Sequence, residues 1–375
     1  MRTIFPTLLS FSLLLGVACS DGDPDNSGSA GASGSGTAGS GTAGSGQAGS
    51  GAAGSGTAGA TGACVDPRTE PSLVPLTPDA AGAGVWAGFQ VDSGELFYGD
   101  LDGVYAQPLA GGARRTVLDQ GVSMFKVMGD KVRLVAGAAL REVPRAGGSA
   151  TDLNQLPLGH TAALLTPGGL VIHDQSLLDD GGTLSLLGYD GSAPSPIATY
   201  TSDGSPSHFA VLGDRLFFDT RPLNAPLYVR ELMSVPLAGG TPTKIPMPSS
   251  DHQLKSFAGV VGDTLYVVAE DNFLKNTVMK IDAGGSVVGS YVVTSGTVIR
   301  AVAVEGGVAI GGIQFLDLWT DGQAAGERVR CFEVGAGVSS PFPTIHDYAA
   351  AGKDVFFSIR TPEPNQNAIQ RVTLP

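Results

Sequence analysis

The chain has 375 residues, of which 42 % are apolar and 15 % charged, with 55 glycines and 24 prolines. It is too apolar for a disordered chain and too rich in glycine for a helical bundle, so a loop-rich β protein is expected. Lys and Arg number 22 against 35 Asp and Glu, a formal net charge of -13, which excludes the basic footprint that phosphate neutralisation requires and so argues against nucleic acid as a partner.

At the N-terminus, Arg2 precedes an apolar stretch from Ile4 to Val17, and small residues follow at Gly16 and Ala18. This predicts an export signal over 1–18, shorter than the roughly 20 residues that span a bilayer. Cys19 directly follows Leu15-Gly16-Val17-Ala18, which resembles the lipobox of bacterial lipoproteins, with Gly16 where leucine is usual. The resemblance implies a diacylglyceryl group on the Cys19 thiol and a membrane anchor, placing the exported chain in the cell envelope, on the outer membrane or cell surface. Gly16-Val17-Ala18 also fits an ordinary signal peptidase, whose product would be unlipidated.

Residues 27–63 are almost wholly Gly, Ser, Ala and Thr in a five-residue period, and no core forms from them. The stretch 19–63 is therefore expected to be a flexible tether, about 35 to 40 Å from end to end. Of the three cysteines, Cys64 and Cys331 remain as an even pair once Cys19 is lipidated, and outside the cytoplasm a bridge between them is expected. In the chain-entropy model such a long loop closure contributes roughly 5 kcal/mol.

The remainder, 64–375, repeats with a mean period of about 43 residues, within the range of propeller blades. Each unit has a tight turn followed by an apolar strand, as in Gly213-Asp214-Arg215-Leu216-Phe217 and Gly262-Asp263-Thr264-Leu265-Tyr266. An alternating strand then runs into a Gly-rich turn, as at 104–112, 140–148 and 232–240. Seven such units predict a seven-bladed β-propeller of four-stranded antiparallel blades. The last unit stops at its third strand, 368–374, and the apolar segment 72–77 is expected to complete it and close the ring. The whole of 72–375 resembles bacterial exported seven-bladed propellers, broadly TolB-like, although the Ser-Pro-Asp-Gly turn typical of that group is missing.

No catalytic motif is recognised. All five histidines fall in or beside the connections expected at one face of the ring, and three adjoin an aspartate in sequence. His160, His173 with Asp174, His208, His252 with Asp251, and His346 with Asp347 are thus candidate ligand or metal residues. Zinc is the metal that imidazoles would suggest, and calcium the one suggested by the loop acids Asp100, Asp102, Asp179, Asp180, Asp219, Glu270, Asp271, Asp317 and Asp321. The irregular spacing of both sets favours solvated loop side chains, and no cofactor is recognised. Phe89, Phe125, Phe209 and Tyr348 occupy one repeated position, expected to pack blade against blade. The resulting expectation is a monomeric surface-tethered module that binds a protein, peptide or glycan through its top face. The alternatives are a propeller enzyme (lyase, lactonase or hydrolase) and a purely structural envelope protein.

Overall fold

The computed structural model describes residues 88–99, 102–175, 181–226, 228–271, 273, 275–293, 300–311, 315–320, 327–331, 344–360 and 367–373. All belong to one compact unit, Thr61–Pro375. Blade 1 contains β1 (Phe89–Asp92), β2 (Glu95–Gly99), β3 (Val104–Pro108) and β4 (Arg115–Leu118). Blade 2 contains β5 (Met124–Met128), β6 (Lys131–Ala136), β7 (Ala139–Pro144) and β8 (Thr151–Gln155). In blade 3 are β9 (His160–Thr166), β10 (Gly169–Gln175), β11 (Gly181–Leu187) and β12 (Ser195–Thr201). Blade 4 is β13 (Phe209–Leu212), β14 (Arg215–Thr220), β15 (Glu231–Pro236) and β16 (Thr243–Ile245). Blade 5 is β17 (Gln253–Val261), β18 (Thr264–Glu270), β19 (Asn276–Asp282) and β20 (Val287–Val293). Blade 6 is β21 (Arg300–Val304), β22 (Gly307–Gly311), β23 (Phe315–Thr320) and β24 (Glu327–Cys331). The last sheet has β25 (Thr344–Ala351), β26 (Asp354–Arg360) and β27 (Asn367–Thr373).

Within every sheet, strands pair antiparallel with their chain neighbours, so each blade is a meander. Glycine placement explains the turns between first and second strands. Gly129, Gly213, Gly262 and Gly352 take φ of 66°, 60°, 56° and 58° at the first turn position, where a Gly-first hairpin turn requires a positive value. In blade 1 both turn residues, Ser93 and Gly94, have positive φ, at 48° and 79°.

The second strands read as continuous apolar runs because they are buried on both faces, each face packing on a different neighbour. On β2, Phe97 faces blade 2 and joins Val127, Val132, Leu134 and Val143, while Leu96 and Tyr98 turn the other way. On β14, Leu216 and Phe218 pack on Val171, Leu184 and Tyr200 of blade 3, and Phe217 packs on Leu265, Val267 and Met279 of blade 5. Burying a side chain of this size fully is worth about 1.5–3 kcal/mol, so the seams between blades form the core.

The first strands lie innermost, each beside the first strand of the next sheet, and β25 lies against β1. Phe356 of β26 packs with Leu96, Tyr98 and Tyr105, so an apolar seam joins the last sheet to blade 1. The expectation of seven four-stranded blades is corrected to six among the described residues, because the last sheet has three strands. The segment expected to supply its fourth, 72–77, lies outside the described residues. So do the export signal and tether, Cys19 and Cys64, and of Cys331 only the backbone is described.

Candidate functional site

Because strands alternate in direction, the connections leaving the second and fourth strands of each blade share one face of the ring, called here the top. Asp219, near the end of β14, is 0 % exposed there. Its Oδ1 accepts the backbone N–H groups of Ser207 and His208, both at 2.7 Å. Its Oδ2 accepts the Ser207 hydroxyl at 3.0 Å and faces the Arg230 guanidinium, with His208 Nδ1 at 3.5 Å. Burial pushes this carboxyl up, but the His208 side-chain and backbone hydrogen bonds and the charges of His208 and Arg230 outweigh it and hold the pKa at about 2. The sequence reading of Asp219 as a solvated loop acid is corrected: it is a buried clamp that ties the connection entering β13 to the connection leaving β14.

The same juxtaposition recurs on both sides. In blade 3, His160 at the start of β9 stands across from Asp174 on β10, and Asp174 Oδ1 accepts the Thr183 N–H at 2.5 Å. In blade 5, His252 and Asp271 flank the Gln253–Glu270 pair of β17 and β18. Asp271 Oδ1 accepts the N–H groups of Phe273 and Lys275 at 2.9 and 2.8 Å. Burial pushes the Asp271 carboxyl up, but these hydrogen bonds and the charges of His252 and Lys275 bring it below the usual carboxylate value. Three consecutive blades thus present a histidine entering the first strand beside an aspartate leaving the second. Sequence reasoning paired the histidines with adjacent aspartates and missed this cross-strand arrangement. The partners lie 14, 11 and 19 residues apart, and bulges in the β9–β10 and β17–β18 pairings help to vary the spacing.

The histidines differ in what they touch. His173, 6 % exposed, stacks on Phe209 of the next blade at 6.1 Å, and burial lowers its pKa, favouring the neutral ring. Its Nδ1 has no hydrogen-bond partner among the described residues. His208 stacks on Phe257 of blade 5 at 5.7 Å. Both ring nitrogens of His252 are engaged, with Ser249 Oγ at 2.8 Å and Thr277 Oγ1 at 3.1 Å. His160 Nδ1 lies 3.4 Å from the Leu158 carbonyl, and Asp251 is exposed. His346 and Asp347 sit at a register irregularity within β25, with only their backbone described. Among the described residues, no three His, Cys, Asp or Glu side chains form a group able to hold a metal ion.

Around these clamps the top connections present apolar side chains to solvent. Leu158 is 102 % exposed between β8 and β9, Leu223 40 % and Tyr228 65 % between β14 and β15, and Phe273 78 % between β18 and β19. Their backbones are fixed: Pro222 O accepts the Ala225 N–H at 3.1 Å, Pro226 O accepts the Val229 N–H at 2.9 Å, and Asp271 holds Phe273. Composition gave no signal for these positions, since a lone loop Leu or Phe looks like any other apolar residue.

Two cavities lie on the opposite face. One, of about 440 Å³, is lined by Glu95, Arg115, Asp130, Pro144, Arg145 and Ala146. Most of its charges are paired: Arg115 binds Glu95, Arg145 binds Glu95 and Asp92, and both guanidiniums lie over the Phe97 ring, while Asp130 is exposed at the rim. The other, of about 520 Å³, opens beside Tyr189, which donates to the Thr166 carbonyl at 2.6 Å and lies under the Arg133 guanidinium. The Arg145 and Tyr189 contacts staple neighbouring blades, blade 2 to blade 1 and blade 3 to blade 2.

No family model matches the chain, and no curated protein matches it in sequence. Solved structures do match in fold. An oligogalacturonate lyase from Vibrio parahaemolyticus is 12 % identical with a TM-score of 0.60, over 83 % of this chain and 96 % of that one. An oligogalacturonate lyase in complex with manganese is 13 % identical with a TM-score of 0.58, over 81 % and 96 %. YCF48 bound to D1 peptide is 10 % identical with a TM-score of 0.52, over 80 % and 99 %. At these identities the likeness establishes a β-propeller and leaves activity to the site.

Proposed function

We propose that this chain is an envelope-tethered propeller that binds a protein or peptide through the top connections of blades 3 to 5. The observation that carries the proposal is the set of exposed apolar side chains there, Leu158, Leu223, Tyr228 and Phe273. They cost solvation in the free protein and gain by burial against a partner. The clamps at Asp219 and Asp271 hold two of the connections in place, which lowers the ordering cost of association. Exposed leucines in the same set of connections as the aromatic rings favour a protein partner over a sugar, whose hydroxyls call for polar side chains beside a ring. YCF48 bound to D1 peptide shows that a propeller of this kind accommodates a peptide. The lipid on Cys19, the tether at 19–63 and closure of the last sheet by 72–77 complete the proposal: an anchored ring held away from its membrane.

A second function, catalysis, draws on one feature. His208 presents Nδ1 to the buried carboxylate of Asp219, the arrangement that orients an imidazole as a general base. The two are separated by challenging the purified mature chain with a displayed peptide library, a glycan array, and ester, lactone and uronate substrates. Binding of peptides, weakened at least tenfold by Tyr228→Ser with Phe273→Ser and unchanged by Val260→Ser on the other face, is expected. Turnover abolished by His208→Gln, or glycan binding indifferent to the paired substitution, would replace the proposal.

A further inference from the structure

The outermost strand of a propeller blade has one unpaired row of backbone donors and acceptors, and proteins blunt such rows with charge, proline, short length or a covering segment. Five of the six outermost strands in the complete blades do so. β4 carries Arg115, which is paired with Glu95, and β8 carries Asp152, 58 % exposed in its side chain. β12 contains Pro196, and its Ile197 carbonyl accepts the Gly240 N–H of the next blade at 3.0 Å. β16 is three residues long with Lys244 at its centre, and β24 contains Glu327, Arg328 and Arg330.

β20 has none of these devices. It is the seven-residue run Val287-Val288-Gly289-Ser290-Tyr291-Val292-Val293, without charge or proline. Val287, Val288 and Val292 are 38 %, 57 % and 51 % exposed. A register shift near Val288 does not set it apart, since β4, β8, β12 and β24 carry the same kind of irregularity beside their other protections. Among the described residues, no backbone hydrogen bond reaches β20 from outside its own sheet. The Tyr291 ring is turned inward, stacked on Trp319 at 6.2 Å, which anchors the strand.

We propose that β20 pairs antiparallel with β20 of a second copy of this chain. The run reads almost the same in both directions, so a twofold axis at Ser290 sets Val287 across from Val293 and Val288 across from Val292. It also sets Gly289 across from Tyr291, the smallest residue facing the largest. No charge lies in the strand to repel its twin, although the whole chain carries -13. Because the outer strands of the other complete blades are protected and the contact is isologous, assembly through these blades stops at two copies instead of growing into a fibre. The surface is the outer edge of blade 5, and the proposal replaces the monomer expected from sequence.

The test uses the full mature chain. Directly opposed residues in an antiparallel pair have Cα atoms about 4.5–5.5 Å apart, inside the range that a disulfide spans. Ser290→Cys is therefore expected to give a reducible dimer on mild oxidation, at least tenfold above both the wild type and Val260→Cys, which share the native cysteines. Val292→Lys, at a solvent-facing position that tolerates a lysine, is expected to lower the dimer fraction of the otherwise native chain at least tenfold in sedimentation. A Ser290→Cys dimer no more abundant than in the controls, a wild type that sediments as a monomer at every concentration, or a dimer indifferent to Val292→Lys would each overturn the proposal.

Discussion

Replacing Asp219 by asparagine tests whether the top connections of blade 4 are held by a buried charge. The carboxylate is 0 % exposed and accepts two backbone N–H groups and a hydroxyl while facing Arg230. Its pKa of about 2 lies nearly two units below the ordinary value of 3.8, and at about 1.4 kcal/mol per unit the ionised form contributes about 2 kcal/mol to folding. The folded-state pKa is the depressed one, so this stability is fully present above about pH 4 and is lost as pH falls through about 2. The Asp219→Asn side chain would keep the shape and one acceptor but lose the charge facing Arg230. In urea unfolding at pH 7 the variant is expected to be less stable by about 2 to 3 kcal/mol, and the gap should close as the pH approaches 2. A gap below about 0.5 kcal/mol at pH 7, or one that stays constant with pH, would refute the clamp.

The Tyr200 hydroxyl is buried without a hydrogen-bond partner among the described residues, and burial, aided by the charges of Asp174 and Asp219, pushes its pKa to about 12. Tyr200→Phe is therefore expected to leave stability unchanged or raise it by about 1 kcal/mol in the same urea assay, and a loss above about 1 kcal/mol would show a missed partner. Phe356, 1 % exposed in the seam that joins the last sheet to blade 1, should cost about 3–5 kcal/mol when replaced by Ala, read from the unfolding midpoint. A Cβ at Gly182 would lie 2.3 Å from the Asp174 carbonyl and 2.6 Å from the Tyr200 hydroxyl. Gly182→Ala should destabilise by about 1–3 kcal/mol, and a neutral effect in calorimetry would mean that β11 shifts freely. Palmitate labelling of the exported chain should disappear in Cys19→Ser, and peptide mapping without reduction should recover Cys64 joined to Cys331. Persistent label, or two alkylated thiols, would remove those parts of the proposal.

The blade repeat was legible because it rests on local chemistry. A tight turn ahead of an apolar strand, as at Gly213-Asp214 before Leu216-Phe217-Phe218, announces itself within a few residues, and the observed strand β14 begins where that pattern places it. Phe209 was likewise legible as a packing residue, and it lies against His173 of the neighbouring blade. The His–Asp juxtapositions were not legible, because His208 and Asp219 meet across a hairpin while His252 and Asp271 are brought near each other across a longer, bulged one. Nothing in a linear spacing reports a bulge. Asp219 itself looked like a solvated loop acid because its partner Arg230 enters from the far side of a ten-residue connection, 221–230, and only the fold brings the two together.

The central claim, that the top connections of blades 3 to 5 receive a protein or peptide, is tested most directly by photo-crosslinking in intact exporting cells. A photoreactive phenylalanine analogue is placed singly at 158, 228, 273 and, on the opposite face, 260. The account predicts one discrete adduct shared by 158, 228 and 273, absent at 260, and lost at 158 when Tyr228→Ser and Phe273→Ser are added. Adducts of equal yield at 260, or none at the three top positions, would contradict it.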